Sequence, residues 1–234
     1  MLGHVEGNLQ TFMREMGVHV ALNTQEEIKK VWGSHIPVTK AYMAAFKPSS
    51  VVECGCGDFS TPILSATDKH VIIEHDAEWA KKVSAPKAEF FVDQVTENTR
   101  REAGYREVDR IQGLYNGYKD RLGNFDLLFV DTVTCARVVA ANTLGPKAKA
   151  IIIHDITESG YAHYNWDLLR LEEFPFKFTF KPRGSVREHG YEWTLLAMRE
   201  VPHVITWALF LASVENFSEE LWGKGSKWDW EIKS

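Results

Sequence analysis

Between residues 50 and 153 the chain repeats one pattern five times: a short, unbroken apolar run, then a longer stretch of mixed polarity. The runs are Val51-Val52, Val71-Ile72-Ile73, Phe90-Phe91-Val92, Leu127-Leu128-Phe129-Val130 and Ile151-Ile152-Ile153. A strand with one wet face alternates polar and apolar residues. These runs do not, and they are rich in β-branched and aromatic residues, so each reads as a strand buried on both faces of a parallel sheet. Two further strand-like runs, FKFTFKPR (176–183) and GYEWTLLAMRE (190–200), are joined by a short glycine-containing loop and predict an antiparallel hairpin on the sheet edge. No internal repeat or low-complexity linker interrupts the chain.

The flanks differ from this centre. Residues 1–49 read as a helical preamble. Leu9, Phe12, Met13 and Met16 fall on one helical face between Asn8 and Gly17, and Thr24 with Glu27 forms a capping box ahead of Ile28, Val31 and Trp32. Tyr42, Met43 and Phe46 mark a third helix ended by Pro48. Residues 50–200 form the α/β domain, and 201–234 an aromatic-rich extension holding Trp207, Trp222, Trp228 and Trp230. That extension is read as a docking surface or a homodimer contact. Its most apolar part, VITWALFLA (204–212), is far short of the about 20 residues a membrane helix needs, which predicts core or a subunit contact and no membrane.

Charge narrows the partners. With 27 Lys and Arg against 32 Asp and Glu, the net charge is −5, which gives no general attraction to polyphosphate. Arg100, Arg101, Arg106, Arg110, Lys119 and Arg121 come nearest to a basic patch, but acidic residues interleave with them as on a solvated helix face. Of three cysteines, Cys54 and Cys56 lie inside a glycine motif, so a disulfide framework is not expected and a reducing cytoplasm is. The start, MLGHVEGNLQ, lacks the charged and apolar regions of a signal peptide.

The motif that points to chemistry is VVECGCGDFSTPIL (51–64). Open parallel sheets bind ligands beyond the carboxyl ends of their strands, and Gly55 and Gly57 stand there, where bare backbone can approach a ligand and the next helix offers N–H groups. The dinucleotide pattern G-x-G-x-x-G is broken at Ser60, so NAD and FAD fall behind. Glu53-Cys54-Gly55-Cys56-Gly57, followed by Asp58-Phe59-Ser60-Thr61, resembles the first motif of class I S-adenosylmethionine (SAM)-dependent methyltransferases. The G-x-G-x-x-S-T form is similar to their small-molecule O-methyltransferase branches. The resemblance covers about residues 37–200. It implies a Rossmann-like α/β fold with a seven-stranded sheet, order 3-2-1-4-5-7-6, last strand antiparallel. It places Glu53, Gly55, Gly57, Ser60, Thr61, Glu74, Asp93 and Asp131 around the cofactor, with Glu74 on the ribose hydroxyls and Asp93 at the adenine amino group. Glu74, Asp93, Asp131 and Asp155 each close an apolar run. Any one of them alone reads equally well as a helix cap.

Methyl transfer is an in-line displacement, so holding the acceptor atom near the methyl supplies most of the catalysis. A hydroxyl acceptor must also lose a proton. Asp131, His154 and Asp155 stand at the correct sheet edge, with His163 and His189 in flanking loops; His154 is the expected base, against a plain hydrogen-bonded strand-end histidine. By resemblance to metal-dependent catechol-type enzymes, Asp131 and Asp155 match two magnesium ligands, while Ile156 replaces the third and cannot coordinate. Tyr161, His163, Tyr164 and Trp166 are candidates to line an acceptor pocket, and Arg183, Arg187 and His189 to meet an anionic acceptor. The expected acceptor is a hydroxyl of a small molecule or saccharide. Two alternatives stay open. A nucleic-acid methyltransferase is disfavoured by Asp131-Thr132-Val133-Thr134, which lacks the prolines of amino-group DNA enzymes, and by Cys135, which lacks the proline of cytosine-C5 enzymes. A non-catalytic SAM- or nucleotide-binding module, working through its tryptophan-rich tail, is the other.

Overall fold

All five apolar runs fall in one sheet. The computed structural model describes residues 33–93, 105–156, 164–182, 193–223 and 226–232. The strands are β1 (Ser50–Cys54), β2 (Lys69–Glu74), β3 (Glu89–Val92), β4 (Phe125–Val130), β5 (Ala148–His154), β6 (Phe176–Lys181), β7 (Thr194–Met198) and β8 (Lys227–Ile232). Their order is β3-β2-β1-β4-β5-β7-β6-β8. Strands β1 to β5 pair in parallel, and β7 runs antiparallel between β5 and β6. This is the Rossmann-like order expected, extended by an eighth strand.

Helices cover both faces. On one side lie α4 (Tyr105–Arg121) and α5 (Thr134–Leu144), whose Ile111, Tyr115, Ala136 and Val139 join Val52, Leu128, Ile151 and Ile153 in one core. On the other lie α1 (His35–Phe46) and α6 (Val204–Trp222), which pack Val38, Tyr42, Phe210 and Val214 onto Leu127, Phe129, Ile152 and Phe178. Two one-turn helices, α2 (Ser60–Leu64) and α3 (Ala77–Ala80), follow β1 and β2. With both faces covered, β1, β4 and β5 have no reason to alternate, as their sequences show. Strand β3 differs: it is the sheet's first edge, only Phe91 is buried, and Val92 is 41% exposed.

The expected hairpin therefore sits one strand inside the edge. Strand β8 continues the sheet, setting Trp230 opposite Phe178 and Trp228 opposite Phe180. VITWALFLA opens α6, where the Trp207 ring stands edge-on to Phe176 and Phe178 and stacks on Phe210 at 4.7 Å. Among the described residues no helix is long and apolar enough to cross a membrane. The third preamble helix is α1. It begins at His35, before the apolar residues that revealed it, and ends at Lys47 in the left-handed region (φ 47°) just ahead of Pro48. The two helices expected earlier, the charged stretch 94–104, and Tyr161, His163, Arg183, Arg187 and His189 lie outside the described residues.

Candidate functional site

The carboxyl ends of β1, β2, β4 and β5 meet at one edge. There β1 leaves the sheet through Gly55, whose N–H donates to Ile73 O (2.9 Å), while Asp131 N–H donates to Cys54 O (2.9 Å). Gly55 has φ +85°, and a Cβ on it would stand 2.2 Å from Asp131 O, so only glycine permits this crossing. Gly57 is different. It is not in the left-handed region, and a Cβ there would meet nothing closer than Ser60 Oγ at 3.5 Å. The protein's own packing does not require that glycine.

Beneath the turn lies a buried network. Glu53, 0% exposed, accepts from Ser60 Oγ (2.6 Å) and Thr61 Oγ1 (3.0 Å), and its other oxygen pairs with His70 Nε2 (2.9 Å). Burial pushes the Glu53 carboxyl above its ordinary pKa, and His70, Ser60 and Thr61 pull it back. Glu53, Ser60 and Thr61 thus face one another and hold the turn from inside. The helix N-terminus expected to offer N–H groups is the five-residue α2, and Gly57 N–H is taken by Thr61 Oγ1 (3.0 Å).

Glu74 lies against the same turn. Its Oε2 accepts from Cys56 N–H (2.9 Å), and its Oε1 from His75 N–H (2.7 Å) and Asp76 N–H (2.9 Å), so the carboxylate joins the end of β2 to the glycine loop. Trp79 Nε1 closes the loop by donating to Cys56 O (2.6 Å). The thiols of Cys54 and Cys56 are pushed up by burial, which keeps them protonated and unreactive. Asp93, exposed after β3, is held by the Tyr118 hydroxyl from α4. Its carbonyl accepts from His75 Nδ1 (2.8 Å), which fixes the tautomer, so His75 Nε2 accepts from Tyr115 OH (3.0 Å). Burial lowers the His75 pKa, consistent with that neutral ring.

A second cluster stands at the ends of β4 and β5. Arg137, on the first turn of α5, joins Asp131 Oδ1 (2.7 Å) to Asp155 Oδ2 (2.9 Å), and donates to Thr132 O (2.7 Å) and His154 O (3.1 Å). Its guanidinium lies 4.4 Å over the Tyr164 ring. Asp155 is in the left-handed region (φ 59°), and Arg137, Tyr164 OH and Trp166 Nε1 hold it there. His154 Nδ1 meets Asp131 Oδ2 at 3.0 Å, and Nε2 lies 3.4 Å from Asp155 Oδ1. Burial alone would lower the His154 pKa; Asp155 and Asp131 outweigh it and raise it. Burial alone would raise Asp131; His154, Arg137 and His35 hold it well below the usual carboxylate range.

The structure therefore brings Asp131, His154 and Asp155 together and sets Glu74 on the neighbouring turn. It does not fit magnesium between Asp131 and Asp155, because both carboxylates converge on a guanidinium and Ile156 offers no donor. Tyr164 and Trp166 pack against Arg137 and Asp155 as a buried wall, 6% and 3% exposed. Sequence reasoning missed Arg137 and His35. Arg137 had a signal, since it is the lone charge in TCARVVAANTL. His35 had none, because only the path of α1 carries it to this corner, where its ring lies 4.5 Å from that of His154.

No family model and no curated protein matches the chain by sequence. Among solved structures, the chain is similar to protein LPL1258 from Legionella pneumophila (TM-score 0.46, 8% identity, 88% of this chain and 97% of that one). It is also similar to the N-methyltransferase NodS from Bradyrhizobium japonicum in complex with S-adenosyl-L-homocysteine (TM-score 0.42, 14% identity, 80% and 95%). A third is the SAH-bound methyltransferase PaMTH1 from Podospora anserina (TM-score 0.43, 11% identity, 86% and 97%). At such scores and identities a likeness assigns neither activity nor substrate.

Proposed function

We propose that the chain is a SAM-dependent methyltransferase acting on a hydroxyl of a small molecule or saccharide. The observation that carries this reading is the placement, along one sheet edge, of a glycine turn braced by Glu74 beside a cluster of half-buried Asp131 with buried His154, Asp155 and Arg137. In this reading the turn admits the amino-acid end of SAM at Gly57, Glu74 meets the ribose as the Cys56 thiol gives up its place on Oε2 (3.3 Å), and Asp93 lies toward the adenine. The acceptor oxygen attacks the methyl carbon as the carbon–sulfur bond breaks. The sulfonium becomes a neutral thioether, and the hydroxyl proton passes to the corner formed by Asp131, His154 and Asp155.

Both ends of the reaction are addressed by this edge. The first motif and Glu74 serve the donor, and the strand-four and strand-five ends serve the acceptor. Calorimetry with SAM tests the donor half: saturable binding that Glu74→Ala weakens on the order of 10-fold or more supports it, and equal affinity in the variant refutes the ribose role. A labelled-methyl transfer screen across phenols, sugars, nucleotides and nucleic acids tests the acceptor half. Methylation confined to nucleic acid would replace the proposed substrate class. SAM binding without transfer to any class would favour a binding module.

A further inference from the structure

We propose that His35, Asp131 and His154 form a binding site for a divalent transition-metal cation. One donor atom from each lies within 4.8 Å of the other two. With metal–ligand bonds of about 2.1 Å, donors stand about 3 Å apart in cis positions and about 4.2 Å apart in trans, so side-chain movement of under about 2 Å closes the widest edge. The Asp131–His154 edge is at 3.0 Å already. The three residues come from separate elements: the start of α1, the end of β4 and the end of β5. Ser34 Oγ bonds Thr194 Oγ1 (2.9 Å), and Thr194 pairs with His154 across β5 and β7, so the first turn of α1 is fastened beside the second imidazole.

The surroundings suit a cation of this kind. His35 and His154 are 3% and 2% exposed, and the Phe129 ring lies 5.4 Å from His35, so little water competes. Arg137 takes the Oδ1 side of Asp131 and leaves Oδ2 toward His154, the outer-shell arrangement that orients a ligating carboxylate. Two carboxylates and one guanidinium leave this buried corner one negative charge when both imidazoles are neutral. A divalent cation carrying an anionic oxygen ligand balances it. Two imidazoles and one carboxylate favour zinc, cobalt, nickel or iron(II) over magnesium or calcium.

The binding stands on geometry alone; its role rests on the methyl-transfer reading. There His35, Asp131 and His154 would hold the ion, and the ion would supply Lewis acidity beside the acceptor hydroxyl.

The test titrates chelator-stripped protein with cobalt(II) in the absence of SAM. Expected are visible ligand-field bands that saturate near about one cobalt per chain, yield to zinc and resist millimolar magnesium. His35→Gln and His154→Gln should each weaken cobalt binding by on the order of 10-fold or more, while His203→Gln, at an exposed position, leaves it unchanged. Absent bands, or bands equally strong in His35→Gln, overturn the site. Should His35→Gln fail to fold, copper(II) bound to the wild-type chain decides, since nitrogen couplings from two imidazoles support the site and fewer overturn it. SAM calorimetry on the stripped protein separates the two proposals: SAM binding without metal binding sinks only the site, and metal binding without SAM binding sinks only the methyl-transfer reading.

Discussion

Gly55 and Gly57 look equivalent in the motif and are not. A methyl at Gly55 would meet the Asp131 carbonyl at 2.2 Å on a left-handed backbone, so Gly55→Ala should cost on the order of 3 kcal/mol in denaturant unfolding. Gly57→Ala has room, and should cost less than about 1 kcal/mol. If bare backbone at Gly57 admits the cofactor, the same variant weakens SAM binding on the order of 10-fold in calorimetry while its melt stays near wild type; unchanged affinity would remove that role. Glu74 has a structural duty that can be measured by itself. Glu74→Gln replaces one acceptor oxygen with a donor, leaves at least one of the Cys56, His75 and Asp76 N–H groups unsatisfied, and should cost about 1–3 kcal/mol, read from the same unfolding curves. The site's carboxylates were legible because a strand end fixes where its last residue stands. Arg137 left a signal as the lone charge of α5, whereas His35 left none, because which face α1 turns inward depends on packing partners distant in the chain.

Among the elements, β1, β4 and β5 are joined at their amino ends by one side chain. Asp126 Oδ2 accepts from Ser49 N–H and Oγ (both 2.8 Å) and Ser50 N–H (3.2 Å), and Oδ1 pairs with Lys149 (2.7 Å). Burial would raise its pKa, but Lys149 and Ser49 hold it well below the ordinary value. A depressed carboxylate stabilises the fold above its unfolded pKa, about 3.9, and that stabilisation is lost as pH falls below about 4 toward the folded value. Lys149 is 79% exposed, so its share is small and the backbone hydrogen bonds carry the rest. Asp126→Asn should therefore lower stability by about 1–2 kcal/mol at neutral pH and flatten the acid limb of a stability-versus-pH curve below about pH 4. A variant that keeps the full wild-type acid slope would show that the slope arises elsewhere. The central strands were legible because burial on both faces leaves an unbroken apolar signature. Strand β8 was hidden for the opposite reason: in KWDWEI most residues remain exposed, and its place comes from pairing with β6.

At the scale of the molecule, the sheet has two ends with different tasks. The glycine turn and the Asp131–His154 corner lie between β2 and β5, whereas α6 and β8 close the far end over β6. Strand β6 carries Phe176, Phe178 and Phe180 on its buried face and half-exposed Lys177, Thr179 and Lys181 on the other. Without β8 its backbone N–H and C=O groups would form an open edge flanked by aromatic rings, a template for pairing with a second chain. Ending the chain after Gly223 removes β8 but keeps α6, whose Phe210 and Val214 remain in the core. The shortened chain should still bind SAM within about 3-fold of the full chain, because three strands separate β1 from β6 in the sheet order. It should also self-associate with rising concentration, as read by light scattering. A truncated chain that stays monomeric would show that the charged face of β6 protects its own edge, and one that loses SAM binding while folded would show that the two ends are coupled.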